Sequence, residues 1–235
     1  RLGLALALPP PRPGRPQQLA DELLAYVAEA LPGRVVHAAR FEAGHAAGHL
    51  AMAAAQTGCA RADFDACLVA GVDSYIADET LDWVEACDQL HGGGPLNNAW
   101  GFVPGEAAGA VLMGTAGLAQ RGGIAPLGEL VAVGIGQESK RIKTGEVCIG
   151  EGLTQAFRAA LQTLRGLLAP GGLLVLVEST THLPWFDMTT GLIEGWQHFA
   201  DDLRTDNPLL PPQTWVRALR EAGFDEAAGW PPAGS

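Results

Sequence analysis

The sequence predicts an α/β protein. Three observations carry that prediction. Short apolar runs of strand length recur along the chain: Leu2 to Leu8, Ala66 to Gly71, Gly109 to Gly114 and Leu173 to Val177. Segments with apolar residues at helical spacing lie between them, such as Leu19, Leu23, Leu24, Val27 and Leu31. Thirty-one glycines in 235 residues and 48% hydrophobic content fit a compact layered protein and exclude a disordered one.

Each element has its own local reason. Leu2 to Leu8 is an apolar run closed by Pro9-Pro10-Pro11, which ends a strand and starts a turn. Gln17 to Leu31 is an amphipathic helix stopped by Pro32-Gly33. Val35-Val36 marks a short strand. A sharp connection through Ala39 to Gly44 then leads into Ala46 to Gln56, an alanine-rich helix expected to be buried on most sides. Ala66 to Gly71 reads as a strand inside a parallel sheet. Asp78 to Leu90 reads as a helix with Asp78 as its N-cap. His91 to Trp100 is a glycine- and asparagine-rich loop. Gly109 to Gly114 and Leu127 to Val133 are strands, Thr144 to Gly152 is loop, and Leu153 to Leu168 is a long helix. Leu173 to Val177 is a buried strand ending at Glu178.

Composition narrows the function. A net charge of −11 with no Lys/Arg cluster excludes a nucleic-acid partner. No apolar run is long enough to cross a bilayer, so no membrane partner is expected. The four cysteines, Cys59, Cys67, Cys87 and Cys148, form no Cys-x-x-Cys pair. That spacing suits neither zinc nor a disulfide framework, and it predicts a reducing cytoplasm. His45 and His49 have metal-pair spacing but no third ligand nearby, so packing or hydrogen bonding is the favoured role and no metal is expected. The opening Arg1 to Leu8 lacks both an initiating Met and a cleavage site, and reads as a strand within a longer protein.

Leu68-Val69-Ala70-Gly71-Val72-Asp73-Ser74 and Phe102-Val103-Pro104-Gly105-Glu106 through Met113 together resemble the amino-terminal half of a ketosynthase of the thiolase superfamily. The resemblance covers Arg1 to Gln162. It implies incomplete thiolase-like α/β/α layers and acyl-thioester condensing chemistry in polyketide or fatty-acid synthesis. It also implies an architectural role for the turn residues Gly71, Asp73, Ser74, Gly105 and Glu106. Such an enzyme needs a thiolate at a tight strand-to-helix turn, where the helix amino terminus lowers the thiol pKa. By the family pattern that position falls at Phe41 or one neighbour away, and no cysteine occurs between Arg1 and Gly58. The family's two histidines lie in the second half of the fold. Among the cysteines present, Cys148 in the glycine-rich loop is the one to test as reactive.

Leu164 to Glu178, Thr189 to Trp196, Asp202-Leu203-Arg204, Pro208-Leu209-Leu210, Trp215, Leu219 and Ala222-Gly223-Phe224 resemble the C-methyltransferase domains of polyketide synthases. This implies a Rossmann-like methyltransferase tail over residues 163–235, after a ketosynthase-like part over residues 1–162. Glu178 matches the glutamate that orients the family's histidine base. That histidine should lie near Gly152, yet none occurs between His91 and His182. Gly134-Ile135-Gly136 is followed by Gln137-Glu138-Ser139-Lys140, a poor continuation for a cofactor loop. The S-adenosylmethionine-binding half is thus absent, and no cofactor is expected. Trp196, Phe199 and Trp215 are read as packed core.

The expected function is therefore a catalytically incomplete ketosynthase-like fragment. The alternatives are a remnant of an S-adenosylmethionine-dependent C-methyltransferase and a non-catalytic scaffold for acyl carrier protein. Other assembly-line domains are further candidate partners. A homodimer across the sheet edge near the elbow helix is implied by the ketosynthase resemblance.

Overall fold

The computed structural model describes residues 1–95, 97–99, 101–139, 150–169, 171–176, 178, 180–181, 202–204 and 208–229. The chain divides into two compact units, residues 1–130 and 131–235.

The first unit is built on a four-stranded mixed sheet in the order β2-β1-β3-β4. β1 is Leu2–Ala7, β2 Val35–Phe41, β3 Ala66–Ser74 and β4 Glu106–Gly114. β1 lies parallel to β2 and β3, and β4 runs antiparallel to β3. Side chains alternate across a strand, so β1 serves two layers. Leu4, Leu6 and Leu8 face helix α1 (Leu19–Ala30) and pack with Leu19, Leu23, Leu24 and Val27. Ala5 faces helix α2 (Ala47–Ala60) and joins Ala51, Ala55, Phe64, Cys67 and Val69. The result is an α/β/α sandwich.

Phe64 holds the α2 layer together. It is 4% exposed and lies over two glycines. A Cβ on Gly3 would sit 2.8 Å from its ring, and one on Gly58 would collide with the same ring. The space those residues leave empty is the space the phenyl group fills.

Several elements depart from the sequence expectation. β2 runs to Phe41, well past Val36, because β1 offers it a full parallel register from Gly3↔His37 to Ala7↔Phe41. α2 is fully buried along one stripe only, Ala47, Ala51, Ala55 and Gly58, of which Ala51 and Ala55 join the sheet's core cluster. Helix α3 is shorter than expected, Asp78–Ala86, and Ala77 occupies its cap position. Asp78 and Glu79 instead place negative charge in the first turn, where the helix dipole favours it. β4 is an edge strand and largely exposed, with Val111 and Leu112 open to solvent. A short helix α4, Ala116–Gly122, follows it, capped by the Thr115 hydroxyl accepting from the Leu118 amide at 3.2 Å. The expected strand at Leu127 to Val133 does not form. Pro126 and Gly128 interrupt it, and Leu127 stands free in solvent.

The second unit contains helix α5 (Glu151–Leu167) and helix α6 (Pro212–Glu221). α5 is continuous through Leu161 to Leu164, where the sequence changes character. Its Phe157 meets Trp215 of α6, ring centroids 5.6 Å apart. Trp196 and Phe199 lie outside the described residues. Leu173 to Leu176 does not form the expected buried strand. Leu173 is 82% and Val175 72% exposed, and no described residue pairs with this backbone. An apolar run becomes a strand only when a neighbour accepts its hydrogen bonds.

Candidate functional site

The sheet register brings most of the expected site residues to one edge. Phe41, Ala7, Gly71 and Gly109 form a single row across β2, β1, β3 and β4. Two and three residues further along, Asp73 faces Ala107 and Ser74 faces Glu106. This is the carboxyl end of the three parallel strands, where open α/β sheets bind their ligands.

The strand-to-helix elbow sits at that edge. Phe41 is the last residue of β2, half-buried against the Ala5–Phe64 cluster. Glu42 and Ala43 follow, then a 3₁₀ turn at Gly44–Ala46 that runs directly into α2. Gly44 takes φ +56°, a left-handed conformation in which a side chain would be strained. The Leu8 amide donates to the Phe41 carbonyl at 2.9 Å, and the Gly44 amide donates back to the Leu8 carbonyl at 3.2 Å. No thiol is present at the turn. His45 and His49 are both exposed, so neither packs into the core. Among the described residues no cluster of three potential metal ligands exists.

None of the described cysteines is part of the elbow itself. Cys67 is buried in mid-β3, and its thiol is pushed up to about 11 by burial and then by the neighbouring Cys59. Burial, then the Asp65 carboxylate, raises Cys59 as well. Both are therefore neutral thiols near pH 7, the reverse of what a nucleophile requires. A groove of about 380 Å³ beside them is lined by His37, Thr57, Arg61, Phe64 and Cys67, among others. Cys87 follows α3. Cys148 lies outside the described residues.

The turn residues form a connected polar set. The Ser74 hydroxyl donates to Glu106 Oε2 at 3.2 Å, and the Ser74 amide donates to Asp73 Oδ1 at 2.8 Å. The Tyr75 amide donates to the Gly105 carbonyl at 2.9 Å. Gly71 pairs with Ala7 of β1 and with Gly109 of β4, and a Cβ there would lie in ordinary contact with Ala7 at 3.5 Å.

Four residues join this edge that the sequence reading passed over: Arg12, Arg15, Tyr75 and Thr80. Arg12 pairs with Asp73 through both terminal nitrogens, Nη1 at 3.3 Å. It donates to the Ser74 carbonyl at 2.7 Å and lies 3.9 Å from the centre of the Tyr75 ring. Arg15 pairs with Glu42. Thr80, fully buried, donates to the Pro13 carbonyl at 2.8 Å. The available signal was an acid just past two strand cores, Glu42 and Asp73, and two arginines in the loop after β1.

In the second unit Glu178 is exposed and not assigned to a strand, and its neighbours Val177 and Ser179, like His182, lie outside the described residues. Gly134 and Gly136 pack against α5. A Cβ on either would collide with the carbonyl of Ala156 or Gly152. Glu138 accepts from the Gly152 amide at 3.1 Å, at the amino terminus of α5. A carboxylate of the chain thus occupies a position that a nucleotide-binding loop leaves for phosphate.

No family model matches the chain. The non-reducing polyketide synthase esdpA of Penicillium shearii is 46% identical over 71 residues, which is 30% of this chain and 3% of that protein. The polyketide synthase ThaQ of Burkholderia thailandensis is 44% identical over 73 residues, 30% of this chain and 4% of that protein. A solved ketosynthase from module 6 of the bacillaene synthase of Bacillus subtilis 168 has a TM-score of 0.46 and 21% identity, covering 62% of this chain and 28% of its own. The chain spans only 3% to 4% of the length of these curated relatives. Over roughly a third of its sequence, then, this chain is similar to polyketide synthases.

Proposed function

We propose that the chain is a ketosynthase-like fragment of a polyketide assembly line that does not condense acyl groups. One observation carries this reading: the elbow at the carboxyl edge of the sheet offers a helix amino terminus but no thiol. Condensation needs a nucleophile there to hold the acyl group covalently. Burial displaces the Cys59 and Cys67 thiols away from the thiolate form. A non-catalytic scaffold that contacts acyl carrier protein or neighbouring synthase domains is the role consistent with such an elbow. A cytoplasmic location and a homodimer through a sheet edge belong to the same proposal. β2 and β4 are the two edges, and unpaired edges invite a partner strand.

The test is incubation of the purified chain with an acyl-thioester probe, followed by intact mass measurement. The expected result is no stoichiometric adduct. An adduct matching the protein in amount, mapped to Cys148 or elsewhere, would restore an acyltransferase.

The methyltransferase ancestry of residues 163–235 is the second reading. The run Leu164 to Glu178 and the ordered landmarks through Phe224 favour it. It is a statement about origin, because the cofactor-binding half is not in the sequence. Calorimetric titration with S-adenosylmethionine is expected to show no heat of binding, and micromolar affinity would reveal a site of a different design.

A further inference from the structure

β4 is an edge strand, and no described residue pairs with its outer side. Its nine residues, Glu106 to Gly114, run against β3 without a register shift, so the edge is long and regular. From Ala107 to Gly114 it carries no charge and no proline. Val111 is 50% and Leu112 63% exposed, and they point to opposite faces of the sheet. Edge strands ordinarily carry charges, prolines or bulges that discourage further pairing. β2, the other edge, has such features in His37, Arg40 and a register shift against β1. β4 has none of them beyond Glu106 at its start.

We propose that β4 is a self-association edge, pairing antiparallel with β4 of a second copy about a two-fold axis at Ala110. The strand is complementary to itself. Small residues fill the half before Ala110, and Val111, Leu112 and Met113 follow it. Antiparallel pairing about Ala110 sets Gly109 opposite Val111 and Ala108 opposite Leu112, so each large side chain meets a small residue. A Cβ on Gly109 would have nothing within 4 Å, which leaves room there for the valine of the other copy. Glu106 falls at the outer end, opposite Gly114 of the other copy, and meets no like charge.

This pairing joins the two sheets into one and gives partners to backbone groups that otherwise face water. A single strand pair buries a small area, so the association is weak and concentration-dependent. The proposal rests on the homodimer of the reading above and specifies its edge, β4 rather than β2 beside the elbow.

Sedimentation velocity on the full chain over a concentration series tests it. Wild type should pass from monomer to dimer as concentration rises. Ala110→Lys sets two ammonium groups opposite each other at the axis, on an exposed position, and should weaken association about tenfold or more. Ala110→Glu should do the same. An equal mixture of the two variants should recover the dimer, because residue 110 then faces the opposite charge. Ala38→Lys in mid-β2 should leave association unchanged. Amide exchange over residues 107–113 needs no variant: in wild type it should slow as concentration rises, while exchange in β2 stays constant. A dimer that survives Ala110→Lys and is lost in Ala38→Lys would overturn the choice of β4 and keep a homodimer through β2. Failure of the mixed variants to recover, or β4 exchange that ignores concentration, would overturn the pairing about Ala110. A chain that stays monomeric throughout would overturn this proposal and the homodimer together.

Discussion

Two apolar runs of similar composition have opposite fates in this molecule. Leu2 to Ala7 is the centre of a sheet, with a parallel neighbour on each side and a helix over each face. Leu173 to Leu176 is just as apolar, yet Leu173 and Val175 stand in solvent. The difference lies in the surroundings. A strand exists when other segments pair with its backbone and bury its side chains. β1 has those segments within its first 74 residues, and the described part of the tail does not supply them.

That contrast predicts where substitutions hurt. The largest effect is expected at Phe64. Phe64→Ala removes the ring that fills the gap over Gly3 and Gly58, and should destabilise the first unit by about 3–5 kcal/mol. Chemical denaturation followed by a probe confined to residues 1–130 measures it. A loss below about 1 kcal/mol would mean that the Phe64 cluster is not what holds the α2 layer to the sheet. Gly58→Ala attacks the same contact from the other side. The added methyl meets the ring, and overpacking should cost about 1–3 kcal/mol although alanine is the better helix former.

A smaller effect is expected from Cys67 at high pH. Its thiol ordinarily titrates near 9.0 and is pushed up to about 11 in the folded chain. The folded form therefore keeps its proton in a range where the unfolded form has lost it. The resulting stability is fully present below pH 9 and is lost as pH rises through about 11. Cys67→Ala should flatten the fall in stability over that window. An unchanged slope would show that other groups govern the alkaline limb.

Much of the first unit was legible in the sequence because its signals are local. Leu19, Leu23, Leu24 and Val27 declare α1, and the unbroken run at Ala66 to Gly71 declares β3. The length of β2 was not legible, since His37, Ala38, Ala39 and Arg40 form strand only because β1 offers a register. The site was half legible. Gly71, Asp73, Gly105 and Glu106 were named from the sequence as turn residues, and the sheet register places them at the carboxyl edge. Arg12 and Arg15 were missed because their partners lie 61 and 27 residues away, and nothing local marks a loop arginine as buried. In the tail, the strand expected at Leu173 was read from hydrophobicity alone, which measures what a segment would bury and says nothing of whether a neighbour is there.

The smallest expected effect sharpens the opening contrast most. Leu173→Asp and Val175→Lys place charges where the structure shows exposed apolar side chains. Substitutions at exposed positions without packing partners usually fall within about 0.5 kcal/mol. A Leu4→Asp change of the same kind in β1 would bury an unpaired carboxylate and abolish folding. If the tail variants are neutral in denaturation and also raise the concentration at which the chain stays monomeric in light scattering, the run is an unpartnered apolar surface prone to association. If they destabilise by more than about 1 kcal/mol, Leu173 and Val175 are buried in solution, and the tail builds a core of its own after all.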